Sequence, residues 1–278
     1  MRVIQFIFLH AFFAAFCAVA LCFETTHLLG LRHDAYLYAF VFFATLGSYN
    51  FHLLMGAWYA QGGSIRMLLK RHPIAVGFVL AAGVALLYLA PQLWHLWPYL
   101  LVAALATACY SLVLLPIAAL APLRRAGFAK TLLLALTWTF VTALLPLQNH
   151  TGGLRLLDIM LLLQRFFLML QLCLLFDLRD TSIDKIKGLH SLATDMAPAA
   201  IQRLFYMLAG AYLLVSGFVT FGLQQYAMLA AYLCVQLAII ALCQIPLPKR
   251  GYFYYYFWVD GIMLLSALLT GLVYLFVK

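Results

Sequence analysis

The sequence predicts an all-α, polytopic membrane protein, a bundle of nine transmembrane helices with its N-terminus inside and its C-terminus outside. Three observations predict it. Hydrophobic residues make up 67% of the 278-residue chain and charged residues only 9%, against roughly 45–50% and 25% in soluble domains. Apolar stretches of the length that crosses a bilayer core, about 20 residues, recur nine times. Lysine and arginine concentrate in alternate connections between them, the pattern of a positive-inside topology.

The nine stretches are 3–23, 36–58, 74–91, 97–119, 128–147, 156–176, 200–222, 226–246 and 253–276. Each must be helical, because lipid cannot satisfy an open backbone. The first, MRVIQFIFLHAFFAAFCAVALCF, exceeds the ~7–15 apolar residues of a signal-peptide core and is read as a membrane helix. Pro91 and Pro98 bracket the connection between the third and fourth stretches, and Pro116 and Pro122 close the fourth. Gly152 and Gly153 precede the sixth; Pro246, Pro248 and Gly251 separate the last two. No soluble linker divides the chain, so residues 1–278 are expected to form one membrane domain.

With the N-terminus in the cytoplasm, that side collects Arg2, Arg66, Lys70, Arg71, Arg124, Arg125, Lys130, Arg179, Lys185, Lys187, Arg203, Lys249 and Arg250. The opposite side holds Arg32, Arg155 and Lys278, and Arg165 lies inside a stretch. A missed or invented helix would scramble this alternation. The net charge of +9 is therefore a topology signal rather than a nucleic-acid footprint. The six cysteines lie in apolar runs with no C-x-x-C pair, as packing residues do.

The chemistry-bearing stretch is FDLRDTSIDKIKGLHSLAT, residues 176–194. Three of only eight acidic residues, Asp177, Asp180 and Asp184, fall here at helical offsets that share one face. Their mutual repulsion calls for a positive partner: a cation, or Arg179, Lys185 and Lys187. Clustered carboxylates suit a hard divalent ion, and Mg²⁺ commonly joins one or two of them to a substrate phosphate. A solvated helix end would carry the same charges. The basic, glycine-containing KIKGLHSLAT that follows has the composition to fold over a phosphate.

Asp177-x-x-Asp180-x-x-x-Asp184, followed by Gly188 and Ser191-Leu192-Ala193, resembles the second aspartate-rich motif of the UbiA superfamily of intramembrane prenyltransferases. His190 stands where that motif has Lys or Arg. Tyr110-Ser111, Pro116 and LRRAGFAKTLLLALTW (123–138) are similar to the family's connection between its fourth and fifth helices. The resemblance spans most of the chain and implies a UbiA-like bundle around a central cavity. There is one departure. The family's first motif resembles N-x-x-x-D-x-x-x-D, whereas LGSYNFHLLMGAWYA keeps Asn50 and has Leu54 and Trp58 at the two carboxylate positions.

The resemblance implies transfer of a polyprenyl group from an allylic polyprenyl diphosphate to an acceptor, often aromatic. It makes Asp180 and Asp184 catalytic and gives Asp177, Asp180 and Asp184 one Mg²⁺. A second metal site is in doubt because Leu54 and Trp58 replace its ligands. Asn50, His52, Arg66, Lys70, Tyr110, Arg124, Arg125, Lys130 and Lys187 are the candidates for diphosphate and substrate contact; the basic ones among them also serve topology. Aromatic faces such as Tyr49, Trp58, Tyr59 and Tyr110 suit the lining of a carbocation pocket. Two intramembrane polar residues complete the set. Arg165 is expected to face the bundle interior, about 10 Å along the helix from Asp158 and so beyond a direct pair. Asp260 is expected to pair with a cation such as Arg165 or to line the cavity.

The expected partners are thus the bilayer, a polyprenyl diphosphate and its acceptor. The expected location is a bacterial-type plasma membrane, with the site facing the cytoplasm. The alternative is a non-catalytic fold relative that binds an isoprenoid or quinone lipid. A transporter fits less well, since no paired half-repeats or matched broken helices occur.

Overall fold

A computed structural model describes residues 11–60, 63–113, 127–149, 153–187 and 190–277. Its described residues form helices and connections only, with no strand. In chain order these are α1 (Phe12–Leu28), α2 (Ala35–Ala60), the short α3 (Ile65–Arg71), α4 (Pro73–Leu89), a 3₁₀ segment (Ala90–Leu96) and α5 (Trp97–Val113). Then follow α6 (Gly127–Thr139), a π-helical turn (Phe140–Leu144), α7 (Leu145–Gln148), α8 (Leu156–Lys187) and α9 (Leu192–Asp195). The chain ends with α10 (Pro198–Leu223), α11 (Met228–Gln244), a 3₁₀ turn (Leu247–Lys249), a second π-helical segment (Tyr254–Val259) and α12 (Asp260–Val277).

Each of the nine predicted apolar stretches contains a helix. Among the described residues, six helical runs are long and apolar enough to cross a membrane, and two shorter apolar helices, Phe12–Leu28 and Met228–Gln244, accompany them. One of the six, Pro73–Tyr110, unites the third and fourth predicted stretches through the 3₁₀ segment, which is kinked at Leu93. The largest departure from the predicted bounds is at α8. It continues eleven residues past position 176, so the FDLRDTSIDKIK stretch is helical, in keeping with the helical spacing of its aspartates.

Helix ends follow local chemistry. Pro73 and Pro198 occupy first-turn positions, where a missing N–H costs nothing and φ is already set. Gly30 and Gly63 adopt positive φ just beyond α1 and α2, the left-handed geometry that favours glycine after a helix. The Gly63 N–H donates to the Trp58 carbonyl at 3.0 Å.

The helices are ordered by neighbour packing: α4 on α2, α2 on α1, α1 on α12, α12 on α11, α11 on α10, α10 on α8, α8 on α6, and α6 on α5. The two ends of this series, α4 and α5, are joined by the 3₁₀ segment. The main core is built by α1, α6, α8, α10, α11 and the C-terminal segment. A smaller cluster of Ala18, Cys22, Leu37, Val41, Leu93, Leu96 and Leu145 ties α1 and α2 to the 3₁₀ segment and α7. Burial is uneven: 61% of the apolar window of α8 is buried, against 17% in the α4–α5 run. A core helix and a lipid-facing one both read as apolar, because lipid and protein interior are similar solvents for side chains.

The π-helical turn in the α6–α7 run has a visible use. Misaligned π-turns release carbonyls from the regular ladder. Here the Thr142 carbonyl accepts the Thr25 hydroxyl at 2.9 Å and the Val141 carbonyl accepts the Cys22 thiol at 3.5 Å. Both bonds fasten α1 to this run.

Candidate diphosphate and metal site

The C-terminal part of α8 sets two aspartates one turn apart in different surroundings. Asp177 is buried, and its Oδ2 accepts a short hydrogen bond from the Thr131 hydroxyl of α6. Lys130, the residue before Thr131, is also buried. Cys173, one turn earlier on α8, is buried as well.

Asp180 is half-buried and held by its neighbour. Arg179 Nε and Nη2 donate to Asp180 Oδ1 and Oδ2 at 2.7 and 2.9 Å, a bidentate fork that fixes both charge and orientation. The guanidinium carbon lies 4.9 Å from the Phe176 ring centroid and 5.3 Å from those of Tyr255 and Tyr256, within cation–π range. Tyr255 and Tyr256 belong to the second π-helical segment; such segments often sit where side chains must be re-aimed. Asp260, the first residue of α12, is buried and feels the charge of Arg179.

The first-motif end of α2 has a different character. Asn50 is buried and its amide donates to the Leu46 carbonyl at 2.8 Å. Leu54, one turn on, is buried. The Trp58 indole N–H is buried without a hydrogen-bond acceptor, and its ring packs against Tyr59 at 5.0 Å. The His52 ring meets the Tyr110 ring edge-on at 5.6 Å, joining α2 to α5.

The sequence candidates therefore separate. Asp177, Asp180 and Lys130 gather with Thr131, Arg179 and Asp260 at the α6–α8–C-terminal helix junction, and His52 and Tyr110 meet on the α2–α5 side. Arg66 and Lys70 ride on exposed α3, which packs against α2 and α4. Arg124 and Arg125, and the side chains of Asp184 and Lys187, lie outside the described residues. Among the described residues no group of three or more His, Cys, Asp or Glu side chains is placed to hold a metal.

Two expectations for the intramembrane residues are resolved. Arg165 pairs with Glu24 of α1, Nη2 to Oε2 at 2.8 Å, rather than with Asp260. Helical spacing gives depth and face within one helix but does not reveal which helix stands opposite. Asp158 pairs with Arg155, accepting its backbone N–H at 2.8 Å and its guanidinium at 3.1 Å, in keeping with the distance that separates it from Arg165. Sequence reasoning missed Glu24 and Thr131, whereas Arg179, which forks onto Asp180, was among the positive partners it named for the aspartates. Glu24 carried a signal: it is the acid that directly follows the first stretch, and a buried arginine needs one.

No family model matches the sequence, and no curated protein matches it. Among solved structures, the fold is similar to that of a digeranylgeranylglyceryl phosphate synthase in membranes. The TM-score is 0.58 at 13% sequence identity, over 97% of this chain and 98% of that chain. That protein is a UbiA-superfamily prenyltransferase. The likeness at this identity is one of fold, and it agrees with the resemblance carried by the residues of the second motif. The chain is an integral, multi-pass membrane protein whose helical fold is similar to that of this synthase.

Proposed function

We propose that the chain is an intramembrane prenyltransferase that moves a polyprenyl group from an allylic diphosphate to an acceptor, using one carboxylate cluster where the family its second motif resembles has two. The observation that supports this most is the junction of α8 with α6 and the C-terminal helix. Carboxylates, two basic groups and aromatic faces converge there within a chain that has eight acidic residues in all.

The donor set fits a single Mg²⁺. Asp177 and Asp180 supply the one or two protein carboxylates such an ion takes, the other positions going to water and phosphate, with Asp184 as the third candidate. Thr131 orients the Asp177 carboxylate, as a supporting hydrogen bond does for a metal ligand. The Arg179 fork is complementary to phosphate as well as carboxylate. A diphosphate can therefore take the fork and release Asp180. Bound there, Mg²⁺ would neutralise charge on the departing diphosphate. In the reaction the C–O bond of the allylic ester breaks with its electron pair on oxygen. The acceptor's nucleophilic atom forms the new bond to that carbon and loses a proton. Arg179 and Lys130 stabilise the leaving anion, and Phe176, Tyr255 and Tyr256 shield the cation from water. With the N-terminus inside, this end of the bundle faces the cytoplasm, where diphosphate and Mg²⁺ are available.

A second reading is favoured by Leu54, Trp58 and the saturated Asp180: a fold relative that binds an isoprenoid lipid without turnover. Purified protein in nanodiscs with an allylic polyprenyl diphosphate separates the two. Mg²⁺-dependent release of diphosphate, lost on chelation, supports the enzyme. Tight lipid binding without release, across donor chain lengths and aromatic acceptors, supports the binder.

A further inference from the structure

None of the 7 residues of α3, IRMLLKR, is buried. A helix this short is well below the roughly 12–15 residues at which helices become marginal in water, so its order depends on what covers it. Its ends are well defined. The Ser64 hydroxyl caps the first turn by accepting the Met67 N–H at 3.4 Å, and the His72 N–H donates to the Leu68 carbonyl at 2.9 Å. Pro73 then opens α4 directly. At 3.6 residues per turn, Leu68, Ile65 and Leu69 fall on one face, and Arg66, Lys70 and Arg71 on the other. Leu68 is half-buried, whereas Ile65 and Leu69 are 66% and 50% exposed.

The cations of α3 are exposed, and the chain offers them no acid nearby. No Asp or Glu occurs between Asp34 and Asp158. Among the described residues Arg155, Arg165 and Arg179 each hold a carboxylate, and Arg66, Lys70 and Arg71 hold none. Lys70 and Arg71 stand in the last turn, where they complement the helix dipole; Arg66 stands in the first turn, against it. A purely local role therefore does not account for all three.

The position of α3 shows what lies beside it. Its neighbours α2 and α4 are membrane-spanning, and it connects the end of one to the start of the other. Ile74, Leu80, Val84 and Leu87 make α4 an exposed apolar surface that continues the Ile65–Leu69 face toward the bilayer centre. The 17 residues of α4 rise about 26 Å, close to the hydrocarbon thickness of about 30 Å. Just past them come the exposed Trp94 and Trp97, residues typical of a membrane–water boundary. With those tryptophans at one boundary, α3 lies at the other. We propose that α3 is an interfacial helix that binds the headgroups of anionic phospholipids. Ile65 and Leu69 enter the outermost acyl layer, and Arg66, Lys70 and Arg71 meet lipid phosphates, the arrangement of amphipathic helices that lie on a membrane. This surface does not depend on the transfer reaction.

The test uses the full chain, without prenyl substrate, in phosphatidylcholine nanodiscs that contain spin-labelled lipid at low mole fraction. Electron paramagnetic resonance reads how strongly the protein immobilises each lipid. Phosphatidylglycerol is expected to associate about fivefold or more strongly than phosphatidylcholine. The paired substitution Arg66→Gln and Lys70→Gln, which leaves Arg71 in place for topology, is expected to remove most of that preference. Equal association of the two lipids, or a preference unchanged in the paired variant, overturns the proposal. Inorganic diphosphate, at matched ionic strength, is expected to leave the preference intact; its loss would assign these cations to a soluble phosphate ligand instead. A photo-crosslinking amino acid in place of Leu69 gives a readout that keeps every charge. Crosslinks to phospholipid acyl chains are expected, and crosslinks to protein alone, or none, contradict the proposal.

Discussion

Helix α8 carries two ion pairs of nearly equal length and opposite character. At its middle, Arg165 and Glu24 meet at 2.8 Å with side chains 4% and 2% exposed. Toward its end, Arg179 and Asp180 meet at 2.7 Å with side chains 30% and 29% exposed. The first pair joins residues 141 positions apart; the second joins sequence neighbours. Distance does not distinguish them, but surroundings do. A sealed pair cannot lose one member without stranding a charge in apolar surroundings. A pair open to water can trade its partner for a phosphate or a metal ion at modest cost. The contrast suits the mid-helix pair to holding the bundle together and is what the proposed function requires of the end pair.

Breaking the sealed pair has the largest expected effect. Arg165→Met strands Glu24 and lowers stability by about 3–5 kcal/mol, read as a fall in melting temperature in detergent. Asp180→Asn, by comparison, is expected to change stability by no more than about 1 kcal/mol. If the two variants melt alike, the division of roles between the pairs is wrong. The open pair is tested next through turnover: Asp180→Ala is expected to slow Mg²⁺-dependent diphosphate release by about 10²–10³-fold while the protein stays folded.

Smaller effects sharpen the picture of the junction. Thr131→Val removes the hydroxyl that orients Asp177 and is expected to raise the Mg²⁺ concentration for half-maximal activity about 10–100-fold. Arg179→Lys keeps the charge but loses the fork and the aromatic stacking. A rise in KM for the diphosphate donor of about tenfold is expected, with kcat less affected. A fall in kcat alone would assign Arg179 a different role.

How far the sequence reveals this molecule depends on the range of each interaction. Run length and hydropathy located a helix in each of the nine stretches, because membrane crossing is a property of contiguous residues. Asp177 and Asp180 stood out for a similar reason, as acids that are scarce and close together. Glu24 and Thr131 did not, since their significance lies in Arg165 and Asp177 on other helices, and helical periodicity fixes a face without naming its neighbour. The π-helical segment that carries Tyr255 and Tyr256 was equally hidden. YYYFWV is as compatible with a regular α-helix, and only packing against Arg179 gives its irregularity a use. The loss of carboxylates at Leu54 and Trp58 was plain in the sequence. What replaces them was not, and the structure puts a buried leucine and a buried indole N–H at those positions.

The central claim is that one divalent ion, held at the end of α8, serves the diphosphate. Its most direct test is the number of Mn²⁺ ions, substituted for Mg²⁺ and counted by electron paramagnetic resonance, that purified protein binds in the presence of an allylic polyprenyl diphosphate. The account predicts one per chain, lost in Asp180→Ala and retained in Leu54→Ala. Two ions per chain, or one that survives Asp180→Ala, would contradict it.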